Sequence, residues 1–152
     1  MASLLQGYPQ HIINTILRTW LNSWATARRF QSSKSTCVFC REWMSQDSIE
    51  HLAVCRITNL LAHLSLHIGF CTPSLSLFLL LEARNPMHLT LLALHLHATY
   101  HTYNKLKHDT HTRNDEQHVQ AIKSIYTAIL AKEVTCTPWG RNVLFHHSIS
   151  LR

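Results

Sequence analysis

From His11 to Phe30 the chain reads "HIINTILRTWLNSWATARRF", in which Ile13, Ile16, Leu17, Trp20, Trp24 and Ala27 recur at steps of three and four. That spacing places them on one face of a helix and leaves Arg18, Arg28 and Arg29 to point elsewhere. The "QSSKST" that follows has no apolar residue and predicts a short linker. A second stripe, Ile49, Ala53, Ile57, Leu60 and Leu64, predicts a helix to about residue 66. Asp47 is its expected cap, with Glu50 three positions on completing a capping box. Thr72-Pro73 and Asn85-Pro86 each offer a capping side chain followed by proline, and predict helices over about 73–83 and 86–108. The last helix, about 115–132, is capped by Asn114 and carries the stripe Val119, Ile122, Tyr126, Ile129, Leu130. Asp115 and Glu116 favour its positive end. Beyond Pro138 no period holds, and an irregular tail is expected.

The pattern predicts a mainly α protein in three stretches: a basic helix and small metal-binding module over 1–66, a helical extension over 67–134, and a tail over 135–152. Composition agrees. Hydrophobic residues make up 46% and charged ones 14%, with only three Gly and four Pro, which argues against disorder and against a turn-rich β-sandwich. At 152 residues the chain has room for one domain, or for a small module with a helical extension. Ile57 to Leu81 holds no Asp, Glu, Lys or Arg over 25 residues, longer than the roughly 20 that span a bilayer. His63, His67, Gly69, Pro73 and five Ser or Thr interrupt it, so it reads as two shorter helices and a turn.

Charge changes the picture, because it is one-sided. No acidic residue precedes Glu42, whereas Arg18, Arg28, Arg29, Lys34 and Arg41 stand at or before position 41, so the first 41 residues carry +5 of the net +6. Such a segment suits a polyanion, as nucleic acid or an anionic membrane surface, or else a solvated helix face. The start of the chain lacks a basic n-region, and Gln6, Gly7, Pro9 and His11 interrupt its apolar residues, so no secretory signal is expected. With an odd count of five cysteines this places the protein in a reducing intracellular compartment, nucleus or cytoplasm, where clustered thiols are metal ligands more often than disulfides.

Those thiols cluster in "CVFCREWMSQDSIEHLAVC", where Cys37, Cys40, His51 and Cys55 are spaced C-x2-C-x10-H-x3-C. Two thiols two residues apart can wrap a metal in a tight knuckle, and His51 and Cys55, four apart on the predicted helix, project toward one point. The expectation is one Zn²⁺ with all four positions filled by protein, a structural site rather than a catalytic one. Three thiolates and a neutral imidazole leave a charge of −1 on such a site, which Lys34, Arg41 or Arg56 can offset. No βαβ pattern surrounds the CxxC pair, so a thioredoxin-like role is disfavoured.

At this point the chain resembles a known family. "TWLNSWATARRF" followed by "CVFC…DSIEHLAVC" looks like the zinc-binding segment downstream of the polymerase core in non-LTR retrotransposon reverse transcriptases. The resemblance covers roughly residues 15–60, and the ten residues between Cys40 and His51 are more than the family's seven or eight. It implies binding of an RNA or DNA backbone by a detached or fragmentary reverse-transcriptase tail, with Arg18, Arg28, Arg29, Lys34 and Arg41 as phosphate contacts. The aspartate pair of a polymerase and the acidic motifs of an associated endonuclease are missing from the sequence, so neither activity nor a small-molecule substrate is expected.

Other residues carry rival readings. His97, His101, His108 and His111 fall at steps of four, seven and three, compatible with a second metal site. The expectation is instead a partly solvated polar face opposite Leu89, Leu92, Leu96 and Tyr103, since no Cys or carboxylate is placed to complete a cage. Trp20 and Trp24 fall on the apolar stripe and are read as core. Cys71 and Cys136 have no partner at ligand spacing and are read as idle thiols. The alternatives to nucleic-acid binding are a zinc-stabilised protein-interaction module using leucine faces between Leu75 and Leu96, and a membrane-associated helical protein using Ile57 to Leu81.

Overall fold

The computed structural model describes residues 7–31, 36–68, 73–109 and 111–136. Lys34, Cys71 and the predicted tail from 137 onward lie outside them. Six helices follow one another: α1 Gln10–Trp20, α2 Ile49–Val54, α3 Arg56–Leu66, α4 Leu75–Phe78, α5 Pro86–Lys107 and α6 Asp115–Cys136. Among the described residues there is no strand, only an isolated antiparallel bridge between Thr36 and Gln46.

The axis is α5, which packs against α1, α3, α4 and α6. It starts where the sequence says: Asn85 Oδ1 accepts from the His88 amide at 2.8 Å, with Pro86 in the first turn. Its middle departs from the amphipathic expectation, because every residue from Leu91 to Thr99 is buried. A helix surrounded on all sides has no polar face. His97 is therefore interior at 4% exposure, not part of a solvated stripe, while His101, His108 and His111 are exposed. Of the leucines between Leu75 and Leu96 read as a docking face, Leu80, Leu91, Leu92, Leu94 and Leu96 are interior too, whereas Leu75 and Leu81 are exposed. α6 begins at its predicted cap, Asn114 Oδ1 accepting from the Gln117 amide at 2.8 Å. It lays Ile122, Tyr126, Leu130 and Val134 into the core at steps of four, with Val119 outside.

The N-terminal helix is shorter than its periodicity suggests. α1 stops at Trp20, Asn22 takes a left-handed φ of 48°, and the chain doubles back to bury Trp24 completely. Trp24 donates to Thr19 Oγ1 at 2.9 Å and packs on Tyr100 and Tyr103, with ring centroids 5.0 and 5.5 Å away. The buried face of α1 is Ile12, Thr15, Ile16 and Thr19, whereas Leu17 is 41% exposed. Two threonines can sit inside because each returns its hydroxyl to a carbonyl four residues back: Thr15 to His11 at 3.1 Å, Thr19 to Thr15 at 2.8 Å. Arg28 and Arg29 therefore lie in a turn and not on a helix.

The helix predicted from 47 to 66 is two helices, α2 and α3, bent at Cys55, whose ψ of 126° is extended. The bend carries its own hydrogen bonds. Thr58 Oγ1 donates to the carbonyls of Leu52 and Cys55 at 2.7 and 2.9 Å, and Asn59 Nδ2 to those of Ala53 and Cys55 at 3.3 and 2.8 Å. The open carbonyls at the end of α2 are thus satisfied by side chains of α3. Past the bend the stripe shifts by one: Leu61, Ala62, Ser65 and Leu66 are buried, and Leu60 and Leu64 half-exposed. The cap is also displaced, Ser48 Oγ accepting from the His51 amide at 3.1 Å in place of Asp47. Glu50 closes no capping box and pairs with Arg28 at 3.2 Å. Likewise α4 is a single turn capped by Ser74, which ends as Leu80 turns to a φ of 68°. No described helix is long and apolar enough to cross a membrane.

Candidate metal centre

The CxxC knuckle is built by backbone geometry. The Cys37 amide donates to the Ser45 carbonyl at 3.1 Å, and the Arg41 amide returns to the Cys37 carbonyl at 3.0 Å. Closing that turn puts Arg41 at a left-handed φ of 53°. From the other side, α2 presents His51 in its first turn and the bend presents Cys55. The donor atoms of Cys37, Cys40, His51 and Cys55 all lie within 4.8 Å of one another, with Cys40 Sγ 3.3 Å from His51 Nε2. A thiolate and an imidazole sharing a tetrahedral zinc stand about 3.5 Å apart, given bonds of about 2.3 and 2.0–2.1 Å. The four residues thus form a group that can hold one metal ion, as the spacing predicts, although Cys55 reaches it from a bend rather than from the helix of His51.

The electrostatics favour ionisation on one side. Cys37 and Cys55 are buried side by side. The hydrogen bond from Cys37 pulls the Cys55 thiol down, with help from the backbone amides of Thr58 and Ile57. Those amides are the open N-terminus of α3, which favours a thiolate. Cys37, holding the shared proton and losing solvent, is pushed up. A ready thiolate facing a protonated partner is a pair that a metal ion can displace a proton from.

The element is fastened to the helical body at three points. His118 of α6 bonds the Val38 carbonyl at 2.8 Å, and Arg41 Nη1 donates to the Arg113 carbonyl at 3.1 Å. The third is Asp47, buried, whose Oδ2 accepts from the Ala27 amide at 2.9 Å and the Tyr103 hydroxyl at 2.8 Å. Lys107 stands 3.4 Å from the same oxygen and also bonds the Ala25 carbonyl.

The five basic residues are dispersed. Arg28 and Arg29 are exposed beside the metal element, because their segment is pinned to Asp47, whose carbonyl accepts the Arg28 amide at 3.2 Å. Arg41 is exposed on the knuckle. Arg18 stands apart on α1, donating to the Tyr100 hydroxyl at 2.7 Å, and Lys34 is outside the described residues. Of the cations considered as neutralising the site, Arg56 is held by Glu42 at 2.7 Å. The loop also exposes Trp43 and Met44, 91% and 90% accessible, and Phe30 is 64% accessible beneath the Arg29 guanidinium.

A second donor group is invisible in sequence spacing. His11 of α1, His97 of α5 and Glu133 of α6 bring their ligand atoms within 4.8 Å of one another. The carboxylate judged absent is supplied from 122 positions away, His11 Nε2 lying 2.6 Å from Glu133 Oε2. Only the unusual burial of an Asp/Glu side chain could have pointed to it, and burial is a tertiary property. Comparison of the chain with protein families, curated proteins and solved structures finds no match.

Proposed function

We propose that the chain is a zinc-stabilised nucleic-acid-binding module, in which the Cys37–Cys40–His51–Cys55 centre holds a structural zinc and fixes a basic, aromatic surface beside it. The observation that carries this reading is the alternation of exposed guanidinium and ring on two segments tied to the metal element: Arg28, Arg29 and Phe30 on one, Arg41 and Trp43 on the other. Rings stack on bases and guanidiniums hold phosphates, the make-up of surfaces that bind single strands with little sequence preference. The resemblance of this stretch to the zinc segment of retrotransposon reverse transcriptases points the same way, and makes a detached tail of such a protein the fitting context. Arg18 lies away from this surface and Arg28 is partly neutralised by Glu50, so Arg29 and Arg41 are its main phosphate contacts.

The test is binding of fluorescent single- and double-stranded oligonucleotides across a salt series, for the zinc-loaded protein and for a Arg29→Ala, Arg41→Ala, Trp43→Ala variant. Affinity should fall with salt at a log–log slope of roughly −2, as for about three phosphate contacts to a single strand. The triple variant should lose most of it. Binding that is indifferent to salt and to all three changes rejects the reading. A protein-docking role is favoured by one observation, the adjacent exposed Trp43 and Met44. It predicts loss on Trp43→Ala alone with the arginines silent.

A further inference from the structure

We infer that His11, His97 and Glu133 form a second, independent metal site, for Zn²⁺ or a similar divalent transition ion, with a fourth coordination position open to an anion. The donors come from three helices that meet at the side of the core, so the fold itself brings them together. Two ligands on a tetrahedral zinc with bonds of about 2.0–2.1 Å lie about 3.3 Å apart. The observed separations bracket this: His11 Nε2 to Glu133 Oε2 is 2.6 Å, His97 Nε2 to Glu133 Oε1 is 3.6 Å. The carboxylate offers one oxygen to each imidazole.

The orientation of His97 suits a metal ligand. Thr15 Oγ1 donates to the His11 carbonyl at 3.1 Å and lies 3.0 Å from His97 Nδ1, a contact that fixes the ring. That contact leaves His97 Nε2 facing the Glu133 carboxylate, in a pocket where His97 is 5% and Glu133 10% exposed. An imidazole whose far nitrogen is fixed by a hydrogen bond is also how metal-binding histidines are oriented. Three protein donors leave one position free. His97 also borders a cleft of about 370 Å³ lined by His101, Lys105 and Lys132. A divalent ion against one carboxylate leaves a net positive charge beside two lysines, which suits an oxyanion in the remaining position.

Cobalt titration of the full-length protein tests the site separately from the cysteine centre. Wild-type protein should take up two equivalents: one with intense sulfur-to-cobalt charge-transfer absorption, the other with weak visible bands only. His11→Ala, at an exposed position that leaves the core intact, and Glu133→Gln should each lose the second equivalent and keep the charge-transfer band. Thr15→Val should weaken the second equivalent by about 10- to 100-fold. Inorganic phosphate should shift the weak visible bands saturably. Saturation of the wild type by a single sulfur-ligated equivalent, or a second equivalent bound as tightly by His11→Ala, overturns the site. Phosphate without spectral effect overturns its anion. Loss of the charge-transfer band alone would count against the cysteine centre and leave this site standing.

Discussion

Asp47 gathers the turn at Ala27, the hydroxyl of Tyr103 and the ammonium of Lys107 onto one buried carboxylate oxygen. Removing the carboxylate would strand the Ala27 amide and the Tyr103 hydroxyl. Asp47→Ala should therefore destabilise by about 3 kcal/mol, while Glu50→Ala, which breaks a half-exposed ion pair with Arg28, should change stability by less than about 0.5 kcal/mol; urea unfolding measures both. A local reading gives Asp47 and Glu50 a shared role, because "DSIE" contains a capping box in sequence and the partners of Asp47 stand 20 and 56 positions away. His95 makes a second prediction at this scale. Fully buried beside the Tyr126 hydroxyl at 2.8 Å, it is held by desolvation down to about 4, against an ordinary 6.5. Its folded pKa is depressed, so the stability it preserves is whole above about 6.5 and is lost as pH falls from there toward about 4, amounting to roughly 3 kcal/mol. Melting temperature should drop across that window, and His95→Gln should flatten the drop.

At the scale of elements, the starts of the two long helices are the readable part of this chain. Asn85-Pro86 and Asn114 cap α5 and α6 where they should, since a cap is a contact of three residues' range. Helix ends and phases are less readable. The stripe Ile49, Ala53, Ile57, Leu60, Leu64 is continuous in sequence yet broken in space, because Thr58 and Asn59 prefer the carbonyls of the bend to solvent. Ser48→Ala should cost about 1 kcal/mol as a lost cap. Thr58→Val, isosteric and without the hydroxyl, should cost about 1–3 kcal/mol, since it leaves the buried Leu52 carbonyl without that donor. Thermal unfolding of the two variants checks the order, and an innocuous Thr58→Val would mean that the bend is imposed from elsewhere.

For the molecule as a whole, the donors of the cysteine centre were legible because they lie within nineteen positions, and those of the His11–His97–Glu133 group were not because they span the chain. Chelation of the zinc-loaded protein should lower its melting temperature while leaving most of the helical circular dichroism at 25 °C, the loss being confined to the knuckle and its neighbours. Collapse of the whole helical signal on chelation would mean that the core cannot stand without the metal. The bend at Cys55 bears on how that metal comes and goes. Its hydrogen bonds belong to Thr58 and Asn59, so His51 and Cys55 hold their mutual geometry before any ion arrives. The Cys37–Cys40 turn carries hydrogen bonds of its own, from the Cys37 amide to Ser45 and from the Arg41 amide to Cys37, so both halves of the centre are preorganised by the chain. A site assembled in that way can be filled, emptied and refilled within one folded life of the protein, so its occupancy can follow the free metal around it without waiting on the refolding of the chain.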